Sequence, residues 1–250
     1  MKAIFFLCLE LKMRFDPSEI MVGGFTNNDG TIDFYLRVKS LITEDATVLD
    51  LGAGRAAWFE EDTCQTRRNI QLMVGKVKHV IAADIDEAVL LNRASDKQLV
   101  IKKNEIGIAP NSVDLIIADY VLEHIESPQE FYDQINVCLK SGGWFCARTP
   151  HKYAYVALAA SLLSNRYHST LLKFIQPSRK ELDVFPTHYR LNTLKDIKNI
   201  FRNWDNKAFI YRTEPSYYFG SKFLYNVQLL MHRIFPAFFC GNLFIFLQKL

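Results

Sequence analysis

Residues 47–54 read Thr-Val-Leu-Asp-Leu-Gly-Ala-Gly, and no other stretch restricts the fold of this chain as tightly. Val48, Leu49 and Leu51 make a short apolar run of the kind that forms a buried strand, and Gly52 stops it. The chain then turns through Gly52, Ala53 and Gly54 into a helix expected near residues 55–59. Glycine removes the Cβ where a ligand must press on the main chain. The helix start beyond it offers N–H groups to a carboxylate or phosphate. The turn lacks the third glycine of the dinucleotide-binding fingerprint, with Ala57 in its place. A lone Gly-x-Gly says little, so its meaning rests on residues at fixed distances further along the chain.

A second apolar run, residues 79–83, ends in Asp84. In doubly wound sheets an acidic group at that strand tip takes ribose hydroxyls. A third run, residues 111–118, leads into Asp119, Tyr120, Val121, Leu122, Glu123 and His124. Leu139, Lys140, Ser141, Gly142, Gly143 and Trp144 then read as a helix end, a glycine turn and a new strand. In this order, over residues 45–150, the chain resembles the class I S-adenosylmethionine-dependent methyltransferases. The resemblance implies an α/β fold with a doubly wound, seven-stranded, mostly parallel sheet whose last strand is antiparallel. It also implies a helical insertion after the fifth strand and a helix between the last two.

The resemblance further implies an enzyme that uses S-adenosylmethionine, without a metal, for in-line displacement at a sulfonium. The Gly52-Ala53-Gly54 turn would accommodate the methionine moiety and Asp50 would orient it. Asp84 would accept from the ribose, Ile85 would pack on the adenine, and Asn104 or Glu105 stands where relatives place an adenine-binding aspartate. His124 is the first candidate general base, since it lies beyond the fourth strand's carboxyl end and titrates near neutrality. A plain bond from His124 to neighbouring backbone has equal weight. Asp119 is the second catalytic candidate, as an orienter of substrate or sulfonium. His151 after the fifth strand, with Arg179, His188 and Arg190 in a polar loop or lid, would bind the acceptor. Phe34 and Tyr35, on a helix before the first strand, read as core aromatics in preference to site residues.

At 250 residues and 49% hydrophobic, the chain can bury one sizeable core. It reads as a single domain: a cap (1–45), a cofactor-binding core (46–150), a basic helical insertion with its following helix (151–206) and the last two strands (207–250). Residues 1–150 carry 16 basic and 22 acidic side chains, residues 151–212 carry 11 and 4, and residues 213–250 carry 3 and 1. The basic second half points to a small or glycan-like anionic acceptor, methylated at oxygen. Ala118-Asp119-Tyr120-Val121 stands where amino-methylating enzymes carry an Asn-Pro-Pro-Tyr type motif, which argues against nucleic acid.

Five scattered cysteines without metal-ligand spacing read as free thiols in a reducing cytosol. The apolar start at residues 4–9 is short, is followed by Glu10 and lacks a cleavage signature, so it reads as a packing segment of a cytoplasmic protein. Residues 222–235 form an aromatic-rich helix, and Pro236, Gly241 and Asn242 break the apolar tail before it reaches the ~20 residues of a membrane span. Core or homodimer packing of this helix ranks ahead of contact with the inner face of a membrane. A lipid or quinone acceptor, marked by apolar lining from residues 217–239, is the alternative within the enzyme class. A cofactor-fold protein without catalysis and a membrane-peripheral scaffold that works through its aromatic helix are the alternatives outside it.

Overall fold

The computed structural model describes residues 15–102, 105–162 and 186–250. Asn104, Arg179 and residues 163–185 of the expected insertion lie outside the described residues, as does the apolar start. One eight-stranded sheet runs in the order β3-β2-β1-β4-β5-β8-β6, with β7 also paired to β8. Its strands are β1 (Thr47–Leu51), β2 (His79–Asp84), β3 (Lys97–Val100), β4 (Val113–Asp119), β5 (Leu139–Pro150), β6 (Trp204–Asn206), β7 (Phe209–Arg212) and β8 (Gly241–Lys249). The first five are parallel, and β8 runs antiparallel to β5, β6 and β7. The chain goes outward from β1 to β3 and then returns to β4, so the strand order reverses between β1 and β4. Open α/β sheets leave a crevice at that point, outside the strands' carboxyl ends.

Alternation along the strands assigns the two faces. Leu49, Ile116, Phe145 and Ile245 enter one buried cluster with Leu122, Ile135, Phe201 and Trp204. Val48, Leu115, Ile117, Cys146 and Phe244 enter the other with Phe34, Val38 and Met73. Helix α1 (Gly30–Lys39) covers this second face. It starts where Asp29 Oδ1 accepts the N–H groups of Thr31 and Ile32, each at 3.0 Å, which satisfies two donors that no helical turn can reach. Helices α2 (Ala57–Glu61) and α3 (Gln65–Gln71) follow β1. Arg67 on α3 bonds both oxygens of Asp62, at 2.6 and 2.8 Å, and also Asp29 Oδ2 at 2.7 Å. This arginine therefore ties α3 to the cap of α1.

The sheet departs from the sequence expectation in three places. The sixth strand is two pieces, β6 and β7, which face β8 in one unbroken register (Trp204↔Lys249 to Arg212↔Gly241). Between the two pieces Lys207 N–H still donates to the Phe246 carbonyl of β8 at 3.0 Å, while the Ala208 N–H turns to Asn206 Oδ1 at 2.9 Å in an Asx turn. Gly142 does not cap a helix: α4 (Pro128–Cys138) ends at once into β5, whose register with β4 shifts between Val113↔Leu139 and Leu115↔Trp144. Gly142, at φ 78, lies within that irregularity. Glu87–Leu91 is a 3-10 turn and not an α-helix.

Helix α5 (Tyr155–Leu162) opens the insertion, and α6 (Leu194–Ile200) begins at Thr193, whose hydroxyl accepts the Asp196 N–H at 3.1 Å. Helix α7 (Lys222–Ile234) lies between β7 and β8, capped by Ser221. It turns Tyr225 and His232 inward, but leaves Phe223, Val227, Leu230 and Ile234 exposed. Core packing therefore holds for one side of this helix only.

Candidate functional site

The carboxyl ends of β1, β2 and β4 bring three carboxylates to the crevice: Asp50, Asp84 and Asp119. Between β1 and α2 the chain passes through Gly52 (φ 71), Gly54 (φ 47) and Ala56 (φ 53). At Gly52 a Cβ would stand 2.4 Å from Val121 Cγ2, so the turn and the segment after β4 meet where only glycine fits. Gly52→Ala combines that overlap with a left-handed backbone. It is expected to cost about 2–4 kcal/mol in urea denaturation. A loss below ~1 kcal/mol would mean that Val121 yields and the fit is loose.

Asp84 holds the turn. Its Oδ2 accepts the Gly54 N–H at 2.9 Å and its Oδ1 accepts the Asp86 N–H at 2.9 Å. From the other side, the buried amide of Asn92 donates to the Gly54 carbonyl at 3.0 Å and accepts the Ala94 N–H at 2.9 Å. Asn92 carries no signal in the sequence, because its value comes from a tertiary bond that no local pattern announces. Ile85, beside Asp84, is exposed.

Asp119 is spent on an ion pair. Arg148 on β5 donates to both its oxygens, at 2.5 and 2.9 Å, and Tyr35 on α1 donates to Oδ2 at 3.2 Å. Arg148 also bonds Thr31 Oγ1 at 2.9 Å and lies over the rings of Tyr120 and Phe34. Tyr35 therefore serves the site edge, whereas its neighbour Phe34 is wholly core. Burial, followed by Asp119 and Asp50, raises the Tyr35 hydroxyl above its ordinary range and keeps it a donor. Asp50 is the opposite case. Burial, then the neighbouring Asp119 and Asp84, push it up to about 7, and no cation or donor among the described residues offsets them.

The other face of the same edge carries a buried polar network. Glu123 Oε2 accepts the Thr149 hydroxyl at 2.7 Å, and Asn192 Nδ2 donates to Thr149 Oγ1 at 2.6 Å and to the Pro150 carbonyl at 2.9 Å. The main chain of Glu123 accepts the N–H groups of His188 and Tyr189, and Arg190 Nη1 donates to the Glu126 carbonyl at 2.6 Å. Residues 186–192 are thus fastened to the Leu122–His124 turn. His124 Nδ1 stands 2.9 Å from the Pro186 carbonyl, which can only accept. The Nδ1 hydrogen is fixed there, and Nε2 is the basic nitrogen of the ring. His124 thus bonds backbone through Nδ1, which is the second of the two readings its sequence position allowed.

His151 is buried, not solvated: its Nδ1 accepts the Tyr153 N–H at 3.2 Å, and burial lowers its pKa. Tyr120, in a left-handed turn after β4, bonds Asn242 through its hydroxyl, and it is exposed together with Tyr153 and Tyr217. Tyr120 follows β4 and Tyr153 follows β5, and no sequence motif marks either ring. Among the described residues no group of three or more His, Cys, Asp or Glu could hold a metal ion.

A carboxylate with no compensating charge, an open glycine turn and a second carboxylate anchoring that turn fit a ligand that presents cations and a ribose. The family model described as a methyltransferase domain matches residues 28–205. A structure titled as a SAM-dependent methyltransferase from Aquifex aeolicus shares 14% identity, covering 94% of this chain and 100% of its own, with a TM-score of 0.51. A SAM-dependent methyltransferase from Methanosarcina mazei shares 14%, covering 86% and 97%, also at 0.51. Geranyl diphosphate methyltransferase, solved in complex with SAM, shares 10%, covering 88% and 85%, at 0.55. No curated protein matches the chain.

Proposed function

The chain belongs to the methyltransferase-domain family and takes S-adenosylmethionine as its cofactor, and from that premise we propose that it methylates a hydroxyl on an acceptor with an apolar, aromatic-binding body. When bound, the cofactor supplies a methyl group already activated on a sulfonium. Asp50 and the Gly52–Gly54 turn would hold its methionine part, and Asp84 its ribose. Asn92 and Asp84 keep that turn in place beforehand, so less ordering is needed on binding. His124 would take the acceptor's proton at Nε2, with Nδ1 anchored on the Pro186 carbonyl. Asp119, committed to Arg148 and Tyr35, fixes the end of β4 and does not serve as a base in this reading.

The observation that carries the cofactor assignment is the match of the methyltransferase-domain model to residues 28–205, and the uncompensated Asp50 supplies its test. A cation beside it favours its ionised form, so below its raised pKa of about 7 binding must expel a proton. Affinity for S-adenosylmethionine is therefore expected to fall about tenfold from pH 8 to pH 6 in calorimetric titration. It should level off above pH 8, and Asp50→Asn should flatten the profile. Absence of binding by folded wild type would sink the reading, and a flat wild-type profile would remove Asp50 from it.

The acceptor class rests on the exposed rings of Tyr120, Tyr153 and Tyr217 around the crevice's outer edge. An anionic, glycan-like acceptor draws support from Arg190, which is exposed although tied to Glu126. A phenol with an apolar tail and a sugar phosphate, compared by release of S-adenosylhomocysteine, distinguish the two. Turnover confined to the sugar phosphate would overturn the aromatic reading.

A further inference from the structure

We propose that the outward face of α7 is a docking surface for an anionic lipid bilayer, on which the enzyme lies with its crevice edge toward the headgroups. Phe223, Val227, Leu230 and Ile234 recur at helical spacing, and they are 74%, 41%, 56% and 70% exposed. Leu224, Phe235 and Phe238 are exposed beside them. Four large apolar side chains in one stripe on a capped helix exceed the scattered exposure that a soluble surface tolerates. No helix among the described residues is long and apolar enough to cross a membrane. A helix of this kind, apolar on one side and carrying cations at its margins, lies in the interface plane instead.

Charge selects the occupant. Lys222 and Arg233 are exposed at the two ends of the stripe, and no acidic residue occurs between positions 215 and 250. The carboxylates that act on the inward-facing Tyr225 are already bonded: Glu214 accepts its hydroxyl at 2.8 Å, and Asp16 accepts the Ser18 hydroxyl at 2.7 Å. A second copy is the poorer occupant. A two-fold contact must be complementary to itself, and this patch would set its cations against the same cations with no acid to meet them. Anionic headgroups supply the missing charge, since basic groups close to such a surface are drawn to it.

The orientation also suits the chemistry, although the inference does not depend on the acceptor's identity. Helix α7 leads through Ala237–Phe239 into β8, whose first residues pair with the carboxyl end of β5 (Asn242↔Pro150). Phe238 meets the ring of His151 at 5.8 Å. The stripe thus belongs to the same edge of the sheet as the crevice. An apolar acceptor dissolved in lipid would reach the site without crossing water.

The test is co-sedimentation of the full chain with phosphatidylcholine vesicles, with and without phosphatidylglycerol. Wild type is expected to sediment with the mixed vesicles at least tenfold more strongly than with phosphatidylcholine alone, and less as salt rises. The triple variant F223S/L230S/I234S is expected to lose that binding at least tenfold. K222A/R233A is expected to lose the preference for phosphatidylglycerol. Thermal unfolding and S-adenosylmethionine titration of each variant establish that it is folded and keep the result separate from the catalytic reading. Wild type that stays in the supernatant, or a folded triple variant that sediments undiminished, would overturn the proposal. So would a wild-type dimer in light scattering that the triple variant dissociates, because the stripe would then be a subunit interface.

Discussion

Asp84→Ala is expected to lower affinity for S-adenosylmethionine by about two to three orders of magnitude, with the sheet still folded. The carboxylate accepts two main-chain N–H groups, from Gly54 and Asp86, and both are charge-assisted. Hydrogen bonds to a charged partner contribute about 1.5–3 kcal/mol each, and each tenfold in affinity corresponds to about 1.4 kcal/mol. Removing the side chain frees Gly54 from its anchor, so the ligand must order the turn as it binds, and it also removes the expected ribose acceptor. Asn92 still holds the Gly54 carbonyl at 3.0 Å, which is why the loss should appear in binding more than in unfolding. Calorimetry on Asp84→Ala beside Asp84→Asn checks this, with the asparagine variant intermediate. An alanine variant within fivefold of wild type would show that the turn is held by other means.

The second large effect concerns Arg148. Its guanidinium is buried and makes both contacts to Asp119 while Asp50 stands uncompensated nearby. Arg148→Met removes the cation and strands Asp119 as a part-buried charge in an already acidic corner. Breaking such a pair from one side costs about 3–5 kcal/mol. For a chain of this size the melting temperature should fall by roughly 10 °C. The double variant R148M/D119N should regain much of the loss, since replacing both partners removes the stranded charge. A single variant that melts within ~2 °C of wild type would show that water reaches Asp119 and the pair is peripheral.

Much of the site is legible in the chain because a parallel sheet turns sequence order into position. Asp84 and Asp119 each close a strand, Asp50 stands one residue before the end of its own, and all these strands end at one edge, so their separation in sequence carries no ambiguity. Gly52 and Gly54 are legible for the same reason. Arg148 is not, because an arginine inside a strand gives no sign of the carboxylate it will meet across the sheet. Asn92 is hidden likewise. The interruption of the sixth strand coincides with one local bond, from the Ala208 N–H to Asn206 Oδ1, while the register with β8 is unbroken on either side. Helix α7 shows a different limit. Its apolar residues mark a helix plainly, but which side meets the sheet depends on Tyr225 and His232 finding Glu214 and Thr213.

Strand β8 has a consequence for biosynthesis. It sits between β5 and the β6–β7 pair, so the partners on both its sides leave the ribosome before it does. Until residues 241–249 emerge, β5 presents an open apolar edge and β6 and β7 have nothing to pair with. Pairings this distant along the chain are slow to form, and unpaired edges attract other chains in the interval. The nascent chain is therefore most exposed to aggregation, and most in need of a chaperone, between the emergence of β5 and that of β8.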